Sequence, residues 1–174
     1  MAFDAYLDIS DIQGESLDSQ FKDKIELLSF DFGATQATSA TASSAGGASA
    51  ERVNLKEFSV RKFIDKATPK LFEACCSGKH IKKVKLSVRR AGGKQEKYLE
   101  VELQEVIVSS TEIEGMAVNS SDKTDPSNDL PSEVIKFNYA KISVTYTQQK
   151  RSDGQGGGSL KGGWDRTSNK TFAG

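Results

Sequence analysis

Along most of this chain apolar residues recur at every second position, the spacing of a strand with one face in a core and the other toward water. Phe3, Ala5, Leu7 and Ile9 alternate with Asp4, Tyr6 and Asp8. Within Ile25 to Gln36, Leu28, Phe30 and Phe32 alternate with Leu27, Ser29 and Asp31. After Leu27 this second set is small or charged, so it is expected to face solvent. Val84, Leu86 and Val88 repeat the pattern, with Lys83, Lys85, Ser87 and Arg89 facing away.

In three runs the alternation slips by one place. Val53 and Leu55 give way to Phe58 and Val60; Leu99, Val101 and Leu103 to Val106 and Val108; and Ile135, Phe137 and Tyr139 to Ile142, Val144 and Tyr146. A change of parity inside an apolar run is what a β-bulge produces, and bulges bend a sheet. Three such slips predict a mainly β protein, a closed β-barrel built from two coiled antiparallel sheets.

One segment departs from the two-residue period. Leu71 with Cys75, and Phe72 with Cys76, are four apart and share helical faces. Thr68-Pro69 supplies a cap and a first helical residue, and Asp65 offers a start one turn earlier. Gly78 is a left-handed stop, and Lys79 and His80 suit the negative end of the helix. A helix over 65–77 is too short to stand alone, so it must flank the barrel.

With 174 residues and 36% hydrophobic content, the chain suits one domain, 1–174, that closes its own core. Residues 34–50 are alanine, serine, threonine and glycine with one glutamine, and cannot build a core. They read either as a disordered hairpin tip or as a long arm ordered against a partner. Ala91-Gly92-Gly93-Lys94 reads as a tight turn, 115–131 as a polar loop, and 153–174 as a glycine-rich C-terminal tail with a flexible connection before Trp164.

No catalytic constellation emerges. His80 is the single histidine, so no zinc site or histidine triad assembles within one chain, and no cofactor is expected. Gly92-Gly93 and the glycines from 154 to 163 lack the spacing of a phosphate loop. The adjacent Cys75 and Cys76 diverge on a helix and read as reduced thiols. The basic series Lys79, Lys82, Lys83, Lys85, Arg89 and Arg90 has no interleaved aromatics and faces Glu96, Glu100, Glu102 and Glu105 on its expected neighbour. With 24 basic and 24 acidic residues, nucleic-acid binding is not expected. The alternating N-terminus lacks the form of a cleaved leader, and no run is long enough for membrane insertion.

Several blocks are distinctive: the start Met1 to Leu7 with Gly14-Glu15-Ser16; Ile25 to Gly33; Phe63-Ile64-Asp65-Lys66-Ala67-Thr68-Pro69-Lys70-Leu71 running into Ala74 to His80; and Ala91-Gly92-Gly93, Tyr98-Leu99 and Glu105 to Ser110. Phe137 to Ala140 and Gly163-Trp164-Asp165 add to them. Together these blocks resemble the Hcp family of type VI secretion tube proteins. The resemblance implies a non-enzymatic structural subunit that forms a homo-hexamer. Its rings would stack into a hollow tube, assembled in the cytoplasm with sheath and spike proteins and then secreted without a cleaved leader. Small effector proteins would ride in the lumen. Carried onto this chain, it makes Ser29, Asp31, Lys70 and Glu73 lumen and cargo candidates. Thr38, Ala42, Ser44, Gly46, Gly47 and Ser49 become ring-stacking candidates on an extended inter-ring loop. Asp31 stands where the family pattern has a small polar residue between two aromatics. The short tail after Trp164 argues against a fused toxin domain. The competing reading is a soluble β-barrel binding module, for a carbohydrate or protein ligand, without tube assembly.

Overall fold

The alternating runs become strands in this computed structural model, which describes residues 3–37, 52–90, 96–115, 130–149 and 156–172. They are β1 (Phe3–Ile9), β2 (Ile25–Leu27), β3 (Ser29–Asp31), β4 (Ala34–Thr35), β5 (Asn54–Leu55), β6 (Phe58–Phe63), β7 (His80–Arg90), β8 (Lys97–Glu114), β9 (Ser132–Gln149), β10 (Gly156–Asp165) and β11 (Lys170–Thr171). One helix, α1 (Thr68–Ser77), falls between β6 and β7.

The sheet is not the closed barrel that the parity slips predict. Nine strands form one antiparallel sheet with the open path β11–β10–β9–β8–β7–β1–β2, while β6 attaches to β9 and β3 to β6; β4 and β5 pair separately. Two features keep the path open. The far edge of β9 is divided, with Ser132 to Phe137 taken by β6 and Lys141 to Gln149 by β10. In addition, the chain changes neighbour at Leu28: β2 lies on β1, and β3 lies on β6. A barrel would close at that point. A single bond from Leu28 N–H to Arg61 O at 2.8 Å stands there in place of a ladder between β2 and β6.

The slips themselves have a different origin from isolated bulges. Ile81 pairs with Val106 and Val106 with Tyr139; Val84 pairs with Leu103 and Leu103 with Ile142. All six are buried, so β7, β8 and β9 step together at one level while their register holds. Glu105 takes the extra place with φ 53°, a left-handed conformation uncommon for a residue with a side chain. The register shift between β8 and β9 falls later, between Val108 and Ser110. The Val53–Val60 slip is a break in the chain between β5 and β6.

Ala5, Leu7, Leu86, Val101, Phe58, Val60, Ile135 and Phe137 fill the core from facing strands. A row of rings runs inward from the exposed Phe3 through the partly buried Phe30 and Phe32 to Phe58 and Phe137 in the core, with centroids 5.8 to 6.4 Å apart, within the range of favourable aromatic pairs. The helix begins three residues later than 65 and packs on β8. Thr68, Leu71 and Ala74 form its buried stripe, and Gly78 closes it at φ 63°. From Gly156 on, a strand stands where a flexible connection is expected: β10 lies along β9, because backbone hydrogen bonds to a neighbouring strand do not require side chains.

Candidate functional site

Two buried charge clusters fix the elements that carry the surface. The first follows from parity. Phe58, Val60 and Lys62 alternate on the core face of β6, and Glu133, Ile135 and Phe137 do so on β9, so a lysine and a glutamate are carried inward. Lys62 Nζ lies 2.6 Å from Glu133 Oε1, 2.7 Å from Asp65 Oδ1 and 2.8 Å from Phe63 O, which fills its three donor positions. The Thr68 hydroxyl donates to Glu133 Oε1 at 2.6 Å and accepts from Asp65 N–H at 3.1 Å. Asp65 Oδ1 also accepts from Ala67 N–H at 2.8 Å. The cluster thus ties the start of α1 to the β6–β9 pair.

The second cluster corrects an expectation. Ser87 and Arg89 do not face water; both are buried, because the loop after β1 lies over them. Phe21 stacks on Tyr6 with centroids 4.4 Å apart, and the Arg89 guanidinium sits 5.1 Å from the Tyr6 ring centroid. Arg89 donates to Asp4 Oδ2 at 3.2 Å, to the Tyr6 hydroxyl at 3.0 Å and to both carboxylate oxygens of Asp18. The Arg89 hydrogen bond holds the Asp18 carboxyl below the usual aspartate range. Burial pushes the Tyr6 hydroxyl up, with Arg89 opposing it.

The sequence-derived lumen candidates fall on two surfaces. Ser29 and Asp31 are exposed on β3, opposite Arg61 and Ser59 of β6. Arg61 donates to Glu114 Oε2 at 2.9 Å and Lys136 lies 3.8 Å from Glu112, so this outer face is studded with paired charges. Lys70 and Glu73 form an exposed pair at 3.2 Å on α1, which packs mainly on β8. The ring-stacking candidates Thr38, Ala42, Ser44, Gly46, Gly47 and Ser49 lie outside the described residues, as does most of the 34–50 loop and of the 115–131 loop.

The basic series finds partners where the sequence places them: Lys83 meets Glu102 at 3.1 Å and Lys85 meets Glu100 at 2.9 Å. Burial raises both glutamates' proton affinity, but hydrogen bonds from Lys85 and Lys97 to Glu100, and from Gln104 and Lys83 to Glu102, outweigh it and lower both. Cys75 and Cys76 are free thiols, and His80 is an exposed residue at the start of β7. Among the described residues no three histidine, cysteine or carboxylate side chains gather as a metal site.

Sequence reasoning missed two apolar surfaces. Beyond Trp164 and Asp165, which pair with β11, the outer edge of β10 has no ladder partner among the described residues. Beside that edge Leu160 is 77% exposed and its cross-strand partner Tyr146 49%. A second patch groups Leu28, Ile64 and Leu130, all exposed, in a groove of about 380 Å3 that also has Glu15, Glu26 and Asp65 in its lining. Alternation assigns Tyr146 to the inner face, and its side chain is nonetheless half exposed.

Residues 6–146 match the family model described as "Type VI secretion system effector, Hcp". The chain is 37% identical over 166 residues to protein hcp1 of Pseudomonas aeruginosa, spanning 95% of this chain and 96% of that protein. Among solved structures, one described as a type six secretion system protein superposes with TM-score 0.87 at 28% identity, covering 98% of this chain and 100% of the other. Hcp1 from Salmonella typhimurium gives 0.75 at 27% identity, with 99% and 100% covered.

Proposed function

The chain belongs to the Hcp family of the type VI secretion system, and from that membership we propose that six identical copies close into a ring and that rings stack into a hollow tube. The protein is a structural subunit of the secretion tube and not an enzyme. The observation that carries the assembly reading is the β10 edge: beyond its pairing with β11 it has no ladder partner among the described residues, and the exposed Leu160 and Tyr146 beside it form an apolar surface that a strand or apolar face of another copy would cover. Rotational closure joins two different patches, so the Leu28–Ile64–Leu130 groove is the natural counterpart of that edge in a heterologous contact.

Assembly in the cytoplasm within a sheath and under a spike, followed by expulsion to the outside, follows from the same membership. Stacking is assigned to the 34–50 segment, whose small side chains suit close backbone approach. Asp31 is assigned to the lumen: it is exposed on β3, and a ring of six such carboxylates favours effectors with basic surfaces. Electron micrographs of the purified protein test the ring directly, since annular particles with a central hole are expected and featureless small particles are not. Binding of a basic cargo protein to D31S rings tests the lumen assignment; affinity equal to that of the unaltered ring removes Asp31 from it.

A further inference from the structure

A groove of about 770 Å3 lies at the root of the β4–β5 pair, where the C-terminal strands meet it. Ala34, Val53 and Leu55 supply apolar lining, and Arg52, Trp164 and Asn169 supply donors. Gln36, Thr167 and Asn169 can each donate or accept, and Arg52 is the one charged side chain of the lining among the described residues. Arg52 Nη2 donates to Arg166 O at 2.7 Å. Arg166 Nη1 donates to Asn138 Oδ1 at 2.7 Å and to Tyr139 O at 3.0 Å, so both guanidiniums rest on neutral oxygens. The adjacent acid, Asp165, has Oδ1 engaged by the N–H groups of Thr167 and Ser168, at 2.8 and 3.2 Å.

Trp164 adds an independent observation. Its indole Nε1–H is buried and has no hydrogen-bond partner, the one such side-chain atom among the described residues. An indole nitrogen only donates, so a missing acceptor leaves a desolvated N–H with nothing in exchange. A side chain at Gly163 would run into Ile142 O and Phe172 O, which shows how closely backbone holds this strand from both sides. Asn169 is likewise set, at φ 54° in the turn that Asp165 caps.

We propose that this groove binds a carboxylate-bearing, extended peptide segment of a partner protein, with Arg52 taking the carboxylate and Trp164 Nε1–H donating to a peptide oxygen. The charge of the lining selects the carboxylate. The β4–β5 pair selects an extended backbone, since it forms a sheet of its own with no third strand among the described residues. The apolar lining suits small aliphatic side chains next to the acid.

Trp164 is the only tryptophan in the chain, so its emission reports on this groove directly. The probe is a ten-residue peptide of alternating glutamate and valine, with a glutamine-for-glutamate counterpart as control. The glutamate peptide is expected to shift Trp164 emission saturably, and the counterpart to bind at least tenfold more weakly. Arg52→Gln, an exposed position, is expected to cost at least tenfold while thermal unfolding stays unchanged. A W164F variant, followed with dye-labelled peptide, is expected to bind more weakly as well. Equal responses to the two peptides, no saturable response, or full affinity in R52Q would overturn the assignment. The mass of the same samples separates the two readings. Assemblies that ignore the peptide refute the groove alone, and lone subunits that bind it refute the tube alone.

Discussion

Lys62 Nζ and Glu133 Oε1 meet at 2.6 Å across the β6–β9 pair with both side chains withdrawn from water. Removing one partner strands the other charge in the core, whereas replacing both with apolar groups removes the desolvation penalty along with the attraction. Lys62→Met is therefore expected to destabilise the subunit by about 3–5 kcal/mol. The double variant K62M/E133L is expected to be markedly more stable than the sum of its single changes predicts. Urea unfolding of the four proteins in the cycle checks this; strict additivity would mean that the pair does not act as a unit.

The Asp18–Arg89 contact sets an acid limit on the loop that follows β1. Asp18 is held below its ordinary value in the folded state, so the unfolded chain binds the proton first. Its contribution is fully present above about pH 4 and is lost as pH falls through the depressed folded value. The expected outcome is a fall in stability below pH 4 that is shallower in D18N, with D18N less stable than the native chain at neutral pH. Unfolding midpoints measured from pH 2.5 to 7 check it, and parallel curves for the two proteins would exclude the contact as the cause.

Neighbouring glycines in β10 should respond oppositely to the same change. A Cβ at Gly162 meets nothing within 4 Å, whereas one at Gly163 runs into two backbone oxygens. G162A is expected to leave stability unchanged or raise it slightly by reducing the freedom of the unfolded chain. G163A is expected to cost about 1–3 kcal/mol or more, because backbone must move. Thermal unfolding of both variants decides it, and equal stability would show that β10 is not held against β9 and Phe172 as described.

The sequence exposed what depends on local period and little of what depends on who sits beside whom. The core parities of β1, β7, β8 and β9, the helix stop at Gly78 and the pairing of Lys83 and Lys85 with Glu102 and Glu100 could all be read from spacing. Even the inward Lys62 was legible, since it continues the Phe58–Val60 face, although the sequence reading passed over it. The open path was not legible, because the division of β9 between β6 and β10 is a choice of partner that no single strand's pattern encodes. The burial of Arg89 depends on Phe21 folding over it from a distant loop. β10 was missed because six glycines between 153 and 163 speak against a strand, while the backbone of β9 supports one.

The edge of β10 carries the central claim, and Leu160→Glu addresses it without touching the core, since Leu160 is 77% exposed in the lone subunit. The measurement is solution mass by light scattering over a dilution series, for the native chain and for L160E. The native protein is expected near six times 18.9 kDa, and L160E near a single subunit with its folded spectrum intact. A native chain that stays at one subunit's mass at every concentration, or an L160E protein that assembles as well as the native one, would contradict the role given to this edge.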